Sequence, residues 1–289
     1  MAATPDRLLR TALGANAAFS TASGLALVLA PDSVGEAMGG LPALVLRLVG
    51  VGLLAFAAAV VWVRAGAVRR PDRVLAVTVA DTAWVIASAA LPVLPVSLSP
   101  AGVAIVAGVA AVVALLAVLQ LAGLRALGRN RRGSTQARSA FEIERRFVAP
   151  PEVVWPVASA LGRIGEFYTA LREVSVEGDG AEAVRTCETH TSERWSEKVA
   201  VWDEPGRAYT LRFLSEAPDF PFPCKEMVGG WRVEPDGDGS RVTVWYEYTV
   251  RGGWLGDALA PIVASKSGAA LRDVLARMDT ATSQPGSAA

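Results

Sequence analysis

Cysteine and histidine are nearly missing from this 289-residue chain. Cys187, Cys224 and His190 are the only ones. A zinc site needs several such ligands at set spacing, so no metal is expected. Lysine is confined to Lys198, Lys225 and Lys266 while arginine is plentiful, which fits a GC-rich bacterial genome. Acidic and basic residues balance at 28 each. No net charge is left to attract nucleic acid, and no nucleic-acid partner is expected. A glycine-rich phosphate cradle is absent, because the glycines at 178–180, 237–239 and 252–253 serve turns. No Ser-His-Asp or Cys-His arrangement can be assembled, and no cofactor is expected.

Long apolar runs are what the chain does have, at 8–30, 43–63, 74–91 and 101–124. A helix needs about 20 apolar residues to cross a bilayer. Strands of a β-barrel would alternate polar and apolar residues. Val103-Ala104-Ile105-Val106 does not, so helices are predicted. The first run is too long for a cleaved signal peptide, carries Asn16 midway and precedes three more. Basic residues fall at Arg7 and Arg10, at Arg64, Arg69, Arg70 and Arg73, and at Arg125, Arg129, Arg131, Arg132 and Arg138. The loop with Pro31, Asp32 and Glu36 has none, and the loop 92–100 has no charge. By the positive-inside rule both termini are cytoplasmic, in a multi-pass protein of a bacterial inner membrane. The lipid bilayer is thus an expected partner. The oligomeric state is left open.

Gly14, Ala18, Ala22 and Ala26 form a small-residue stripe expected to pack against another helix. Asp81 lies roughly 12 Å into the third span at 1.5 Å per residue. A carboxylate there must be paired or wet. Asn16 sits at a similar depth, so the two are predicted to hydrogen-bond within the bundle. Thr78 and Thr82 are the other polar groups nearby. A structural role is favoured over a transport path or a local ligand site. Arg47, near the outer end of its span, is expected to snorkel.

Residues 128–139 are polar and basic, which reads as a linker lying on anionic headgroups. The expected division is 1–127 membrane bundle, 128–139 linker, 140–279 soluble domain and 280–289 disordered tail. Cysteines in a cytosolic domain are expected to be reduced.

The soluble part opens with a half-buried strand, Phe141, Ile143 and Phe147 alternating with charged residues. Pro150 and Pro151 start a short helix at 151–160, followed by another at 162–168. Strands are predicted at 171–177, 182–190, 194–203, 207–214, 225–234 and 241–250. The turns between them include Glu177-Gly178-Asp179-Gly180, Asp203-Glu204-Pro205-Gly206 and Pro235-Asp236-Gly237-Asp238-Gly239. A long helix, 254–279, follows, and Pro261 should kink it or mark its start. The fold class is therefore a four-span helical membrane bundle followed by an α+β domain.

This order of elements, with Ala149-Pro150-Pro151-Glu152-Val153-Val154-Trp155, Val201-Trp202-Asp203-Glu204-Pro205-Gly206-Arg207 and the two glycine-rich turns, resembles the START-like or SRPBCC superfamily. The likeness is greatest to its polyketide cyclase/dehydrase-type members, over about 140–279. The resemblance implies a helix-grip domain, with a curved antiparallel sheet wrapped around the C-terminal helix and a cavity between them. Ser265-Lys266-Ser267-Gly268-Ala269-Ala270 puts small side chains mid-helix, which either leaves a cavity or permits close packing. Ser267 and Ala270 are candidate wall residues.

Alternation places Trp195, Glu197, Val199 and Val201 on one face. Glu197 is the candidate polar anchor, on a strand where the resemblance implies one. Val242, Val244, Tyr246 and Tyr248 form the apolar face of the last strand. Glu247 points the other way unless a bulge intervenes. The ligand-binding candidates are Glu197, Trp195, Val199, Tyr246, Tyr248, Glu247, Ser267 and Ala270. The acid–base candidates are His190, Glu197 and Tyr246. His190 needs a carboxylate such as Glu188 or Glu197 to position it, and is otherwise a loop histidine. Three functions compete: a membrane-tethered binder of a lipid, quinone or polyketide-like molecule, a cyclase- or dehydratase-type enzyme, and an interaction domain. An inward His190 beside a carboxylate would favour the enzyme. Apolar walls around one isolated charge would favour the binder, and a closed, fully packed cavity would favour the interaction domain.

Overall fold

A computed structural model describes residues 5–91 and 98–283. The chain divides into two units, Met1–Leu127 and Gly128–Ala289. Most of the expected uncharged loop (92–97) and the end of the expected tail (284–289) lie outside the described residues.

The first unit is helical: α1 (Pro5–Leu29), α2 (Pro31–Met38), α3 (Ala43–Gly66), α4 (Pro71–Ala90) and α5 (Pro100–Leu127). All but α2 are long and apolar enough to cross a membrane. Proline opens α1, α2, α4 and α5, where its fixed φ suits the first turn and its missing N–H loses no helix bond. Helix α2 stands where a charged loop was expected. Gly39, at φ +108°, ends it, and the N–H groups of Gly39 and Gly40 donate to the Glu36 and Gly35 carbonyls. The long helices alternate in direction. Arg64, late in α3, donates Nε to the Arg10 carbonyl in α1 at 2.9 Å. At the other end Ser99, just before α5, donates its N–H to the Met38 carbonyl at 3.0 Å.

The packing face of α1 is not the expected stripe. Ala18, Ala22 and Ala26 are exposed, whereas Leu9, Leu13, Asn16, Ala17 and Ser20 are buried. At 3.6 residues per turn, a strict four-residue spacing drifts around the helix, so steps of three and four are needed to hold one face. The close approach is at Gly24 and Gly50. A Cβ on either would lie 2.8 Å from the other's carbonyl oxygen.

The second unit is a seven-stranded antiparallel sheet with three α-helices. Its strands are β1 (Ser139–Phe147), β2 (Leu171–Glu177), β3 (Val184–Thr189), β4 (Arg194–Asp203), β5 (Ala208–Phe213), β6 (Cys224–Asp236) and β7 (Gly239–Val250). They lie in the order β1-β7-β6-β5-β4-β3-β2. Between β1 and β2 come α6 (Pro151–Ser159) and α7 (Ile164–Phe167), and α8 (Gly253–Ser283) ends the described chain. Ile143, Phe147, Trp155, Val244, Leu271 and Leu275 belong to the core between sheet and α8. This is the helix-grip fold.

Three details differ from expectation. Helix α8 begins at Gly253, so Pro261 lies inside it. It also continues through 280–283, where Thr280, Thr282 and Ser283 turn their hydroxyls back to the carbonyls of Ala276, Met278 and Asp279. Residues 128–139, read as a linker, are folded onto the sheet. The side chains and N–H groups of Ser134 and Thr135 donate to the Glu247 carboxylate. Asn130 bonds the Arg132 and Gly133 N–H groups and the Ala137 carbonyl. Arg138 pairs with Asp257 at 3.0 Å. A short polar stretch is ordered here because a buried carboxylate needs its donors.

Candidate functional site

Strands β3 and β4 set the site by register. Arg185 lies opposite Glu197, and Cys187 opposite Trp195. Period-2 alternation turns all four toward α8, and all are buried. Both oxygens of the Glu197 carboxylate are engaged. Its Oε2 accepts from Arg185 Nε at 3.0 Å and from Nη2, and its Oε1 accepts from Trp195 Nε1 at 2.7 Å. Arg185 Nη1 also donates to the Leu161 carbonyl at 3.4 Å. The charge is therefore paired rather than isolated.

Around this pair the sheet and α8 enclose a cavity of about 80 Å³. Its walls include Tyr168, Phe213, Phe222, Met227, Trp231 and Tyr246, with Ser267, Ala270 and Leu271 on the helix side. That volume holds a few waters and falls short of the roughly 300 Å³ at which pockets for drug-sized ligands begin. Phe222 fills part of the space. It belongs to the segment 214–223 between β5 and β6, and its ring meets that of Trp195 edge-on at 5.1 Å. Gly229 admits Tyr246. The two are cross-strand partners, and a Cβ on Gly229 would lie 2.6 Å from the Tyr246 ring.

Burial favours the neutral forms of Arg185, Cys187, Tyr209 and Tyr246. It lowers Arg185, but the Glu197 carboxylate, with Tyr209 and Cys187 adding to it, outweighs that and the guanidinium stays above its usual value. Burial pushes the Cys187 thiol up to about 12, with Glu197 adding to the shift. The Tyr246 and Tyr209 phenols are raised for the same first reason.

The candidates read from the sequence separate into three places. Trp195, Glu197, Tyr246, Ser267 and Ala270 line the cavity. Val199 and Tyr248 share its face of the sheet but lie in the adjoining core, where Tyr248 Oη donates to the Ala260 carbonyl at 2.7 Å. Glu247 and His190 are elsewhere. Glu247 faces the other side of β7 under residues 130–135. Burial raises its carboxyl, yet the Ser134, Thr135 and Asn130 donors together bring it below the usual value. His190 is exposed on the β3–β4 turn, and Glu188 pairs instead with Arg172. Val201 also leaves the predicted face, 55% exposed, because a bulge between Val199 and Val201 reverses the alternation. In its place Trp202 turns inward and stacks on Tyr209 at 5.8 Å.

Sequence reasoning missed Arg185. Alternation puts it on the same face as Cys187, but only the register of β3 against β4 brings it to Glu197. Gly268 is not a wall residue. A Cβ there would meet Ile143 at 3.4 Å, so it marks close helix–sheet contact.

Residues 138–282 match the family described as polyketide cyclase / dehydrase and lipid transport. The chain belongs to this family. Among solved structures, the protein XoxI from Bacillus cereus is similar at 17% identity and TM-score 0.42, over 50% of this chain and 94% of its own. The Zhui aromatase/cyclase from Streptomyces sp. R1128 is similar at 18% and 0.42, over 51% and 97%. A norcoclaurine synthase from Thalictrum flavum, in complex with a transition-state analogue, is similar at 18% and 0.41, over 49% and 94%. No curated protein matches the chain.

The family match lies in the second unit. In the first, Asp81 is 3% exposed and joins three helices. Its Oδ2 accepts from Asn16 Nδ2 at 2.6 Å and from Gln120 Nε2 at 2.8 Å. Thr78 donates to Gln120 Oε1, and Ser20 to Asn16 Oδ1. Gln120 escaped notice because it sits singly in an apolar run.

Proposed function

We propose that this family member is anchored in a bacterial cytoplasmic membrane, with both termini cytoplasmic, and that its helix-grip unit binds a hydrophobic small molecule such as a lipid, quinone or polyketide-like compound. One observation carries the ligand part. Aromatic and aliphatic walls enclose a space whose charged groups, Arg185 and Glu197, neutralise one another. Such a space disfavours an ion and suits an apolar body with one hydrogen-bonding group. The family description, with its polyketides and lipids, supports the same class. An acid–base role has less support. Both Glu197 oxygens are occupied, and His190 is outside the cavity. The topology is supported by the even number of long helices among the described residues and by Arg64 and Arg10 meeting at one end of the bundle.

At about 80 Å³ the cavity must widen to take its ligand, and Phe222, carried on the segment 214–223 rather than on a strand or helix, is a wall side chain whose removal widens it. Phe222→Ala removes it in advance. The variant is expected to bind the fluorescent probe N-phenyl-1-naphthylamine about tenfold more tightly than the wild-type full-length protein, since the cost of opening is then already met. A competing hydrophobic ligand should displace the probe. Equal affinity in the two proteins, or no saturable binding in either, would overturn the proposal.

A further inference from the structure

We infer that the membrane unit holds a second site, for a lipophilic cation of the amine class. The cavity there measures about 320 Å³, within the size range of small-molecule sites. All four long helices contribute to it: Phe19 from α1, Gly52 and Phe56 from α3, Asp81 and Trp84 from α4, and Val113 from α5. Its walls are mostly apolar, and Asp81 is its charged group.

Asp81 itself points to the occupant. Both amide donors, from Asn16 and Gln120, fall on Oδ2. Its Oδ1 accepts no hydrogen bond from the described residues. No lysine or arginine among the described residues pairs with Asp81. A carboxylate 3% exposed and lacking a countercharge is costly in a membrane-spanning helix. An ammonium seated at Oδ1 would supply both the missing hydrogen bond and the missing charge. The rings of Trp84, Phe19 and Phe56 favour a cation over an anion. An alcohol would satisfy the oxygen but not the charge. Cross-linking of helices through Oδ2 explains Asn16 and Gln120, but not a free oxygen beside an open space.

Gly52 lies at the exposed side of this space, and a Cβ added there meets nothing within 4 Å. A leucine at this position would occupy the cavity without moving backbone.

Binding of radiolabelled n-octylamine to the full-length protein in phosphatidylcholine nanodiscs tests the inference, with n-octanol and octanoate as competitors and empty discs as blank. Saturable amine binding above the blank is expected. Octanol should compete at least about tenfold less well than unlabelled amine, which is the worth of one charge-assisted contact. Octanoate should not compete. Asp81→Asn should weaken amine binding by a similar factor. Gly52→Leu should abolish it while leaving helix content and gel-filtration behaviour unchanged, and this variant keeps the test decisive should Asp81→Asn fail to assemble. Amine retention no greater than in empty discs, equal competition by octanol, or undiminished binding by Gly52→Leu would each overturn the site. The outcome is independent of ligand binding by the helix-grip unit.

Discussion

Glu197→Gln or Arg185→Met alone is expected to destabilise the helix-grip unit by about 3–5 kcal/mol, and Arg185→Met/Glu197→Leu together to recover most of that loss. The asymmetry comes from desolvation. Both residues are at least 95% buried, at 4% and 3% exposure. Bringing two charges out of water costs about as much as their attraction returns, so the intact pair contributes little net stability. Removing one partner strands the other charge without water or counterion. Denaturant unfolding of the full-length protein, followed by tryptophan fluorescence, reads the effect. Six of the eight tryptophans lie beyond residue 128, so the signal reports mainly on the second unit. Singles that add to give the double would show that the two side chains are not coupled. The double variant also separates roles. If the pair serves the ligand and not the fold, it will unfold normally and bind probe poorly.

Raising the pH from about 9 to 12 is expected to unfold the same unit. Burial lifts the Cys187 thiol from 9.0 to about 12 and the Cys224 thiol from 9.0 to about 11. The Tyr209, Tyr246 and Tyr248 phenols are raised as well, again chiefly by burial. The folded state therefore keeps protons that the unfolded chain releases. The stability this provides is complete below pH 9 and is lost as the pH climbs through the folded values. A tenfold displacement of a proton equilibrium is worth about 1.4 kcal/mol, so Cys187 alone accounts for about 4 kcal/mol across that window. Cys187→Ala should accordingly flatten the alkaline limb of stability against pH. An unchanged slope in that variant would show that the thiol is not held neutral by the fold.

The local order of elements was legible because it rests on short-range rules. Strand β4 spans 194–203 in both sequence and structure, and β2 spans 171–177, since alternation and turn residues delimit both. The inward face of Glu197 followed from the same period. What escaped was set by contacts distant in sequence. Glu247 was known to face outward, but its partners Ser134 and Thr135 come from more than a hundred residues earlier. The β4 bulge depends on pairing with β5, and alternation cannot signal it. Arg185 became a partner of Glu197 only through strand register. The size of the cavity was equally hidden, because Phe222 enters it from a segment with no period of its own. In the membrane unit, depth alone brought Asn16 to Asp81, whereas Gln120 needed knowledge of which helix lies beside α4.

Native mass spectrometry of the full-length protein, released from detergent in the spectrometer, tests the central claim most directly. The account predicts an adduct of a hydrophobic compound that survives release from the micelle in wild-type protein, and is displaced by N-phenyl-1-naphthylamine. Protein that flies without an adduct, and that also fails to retain the added probe, would contradict it.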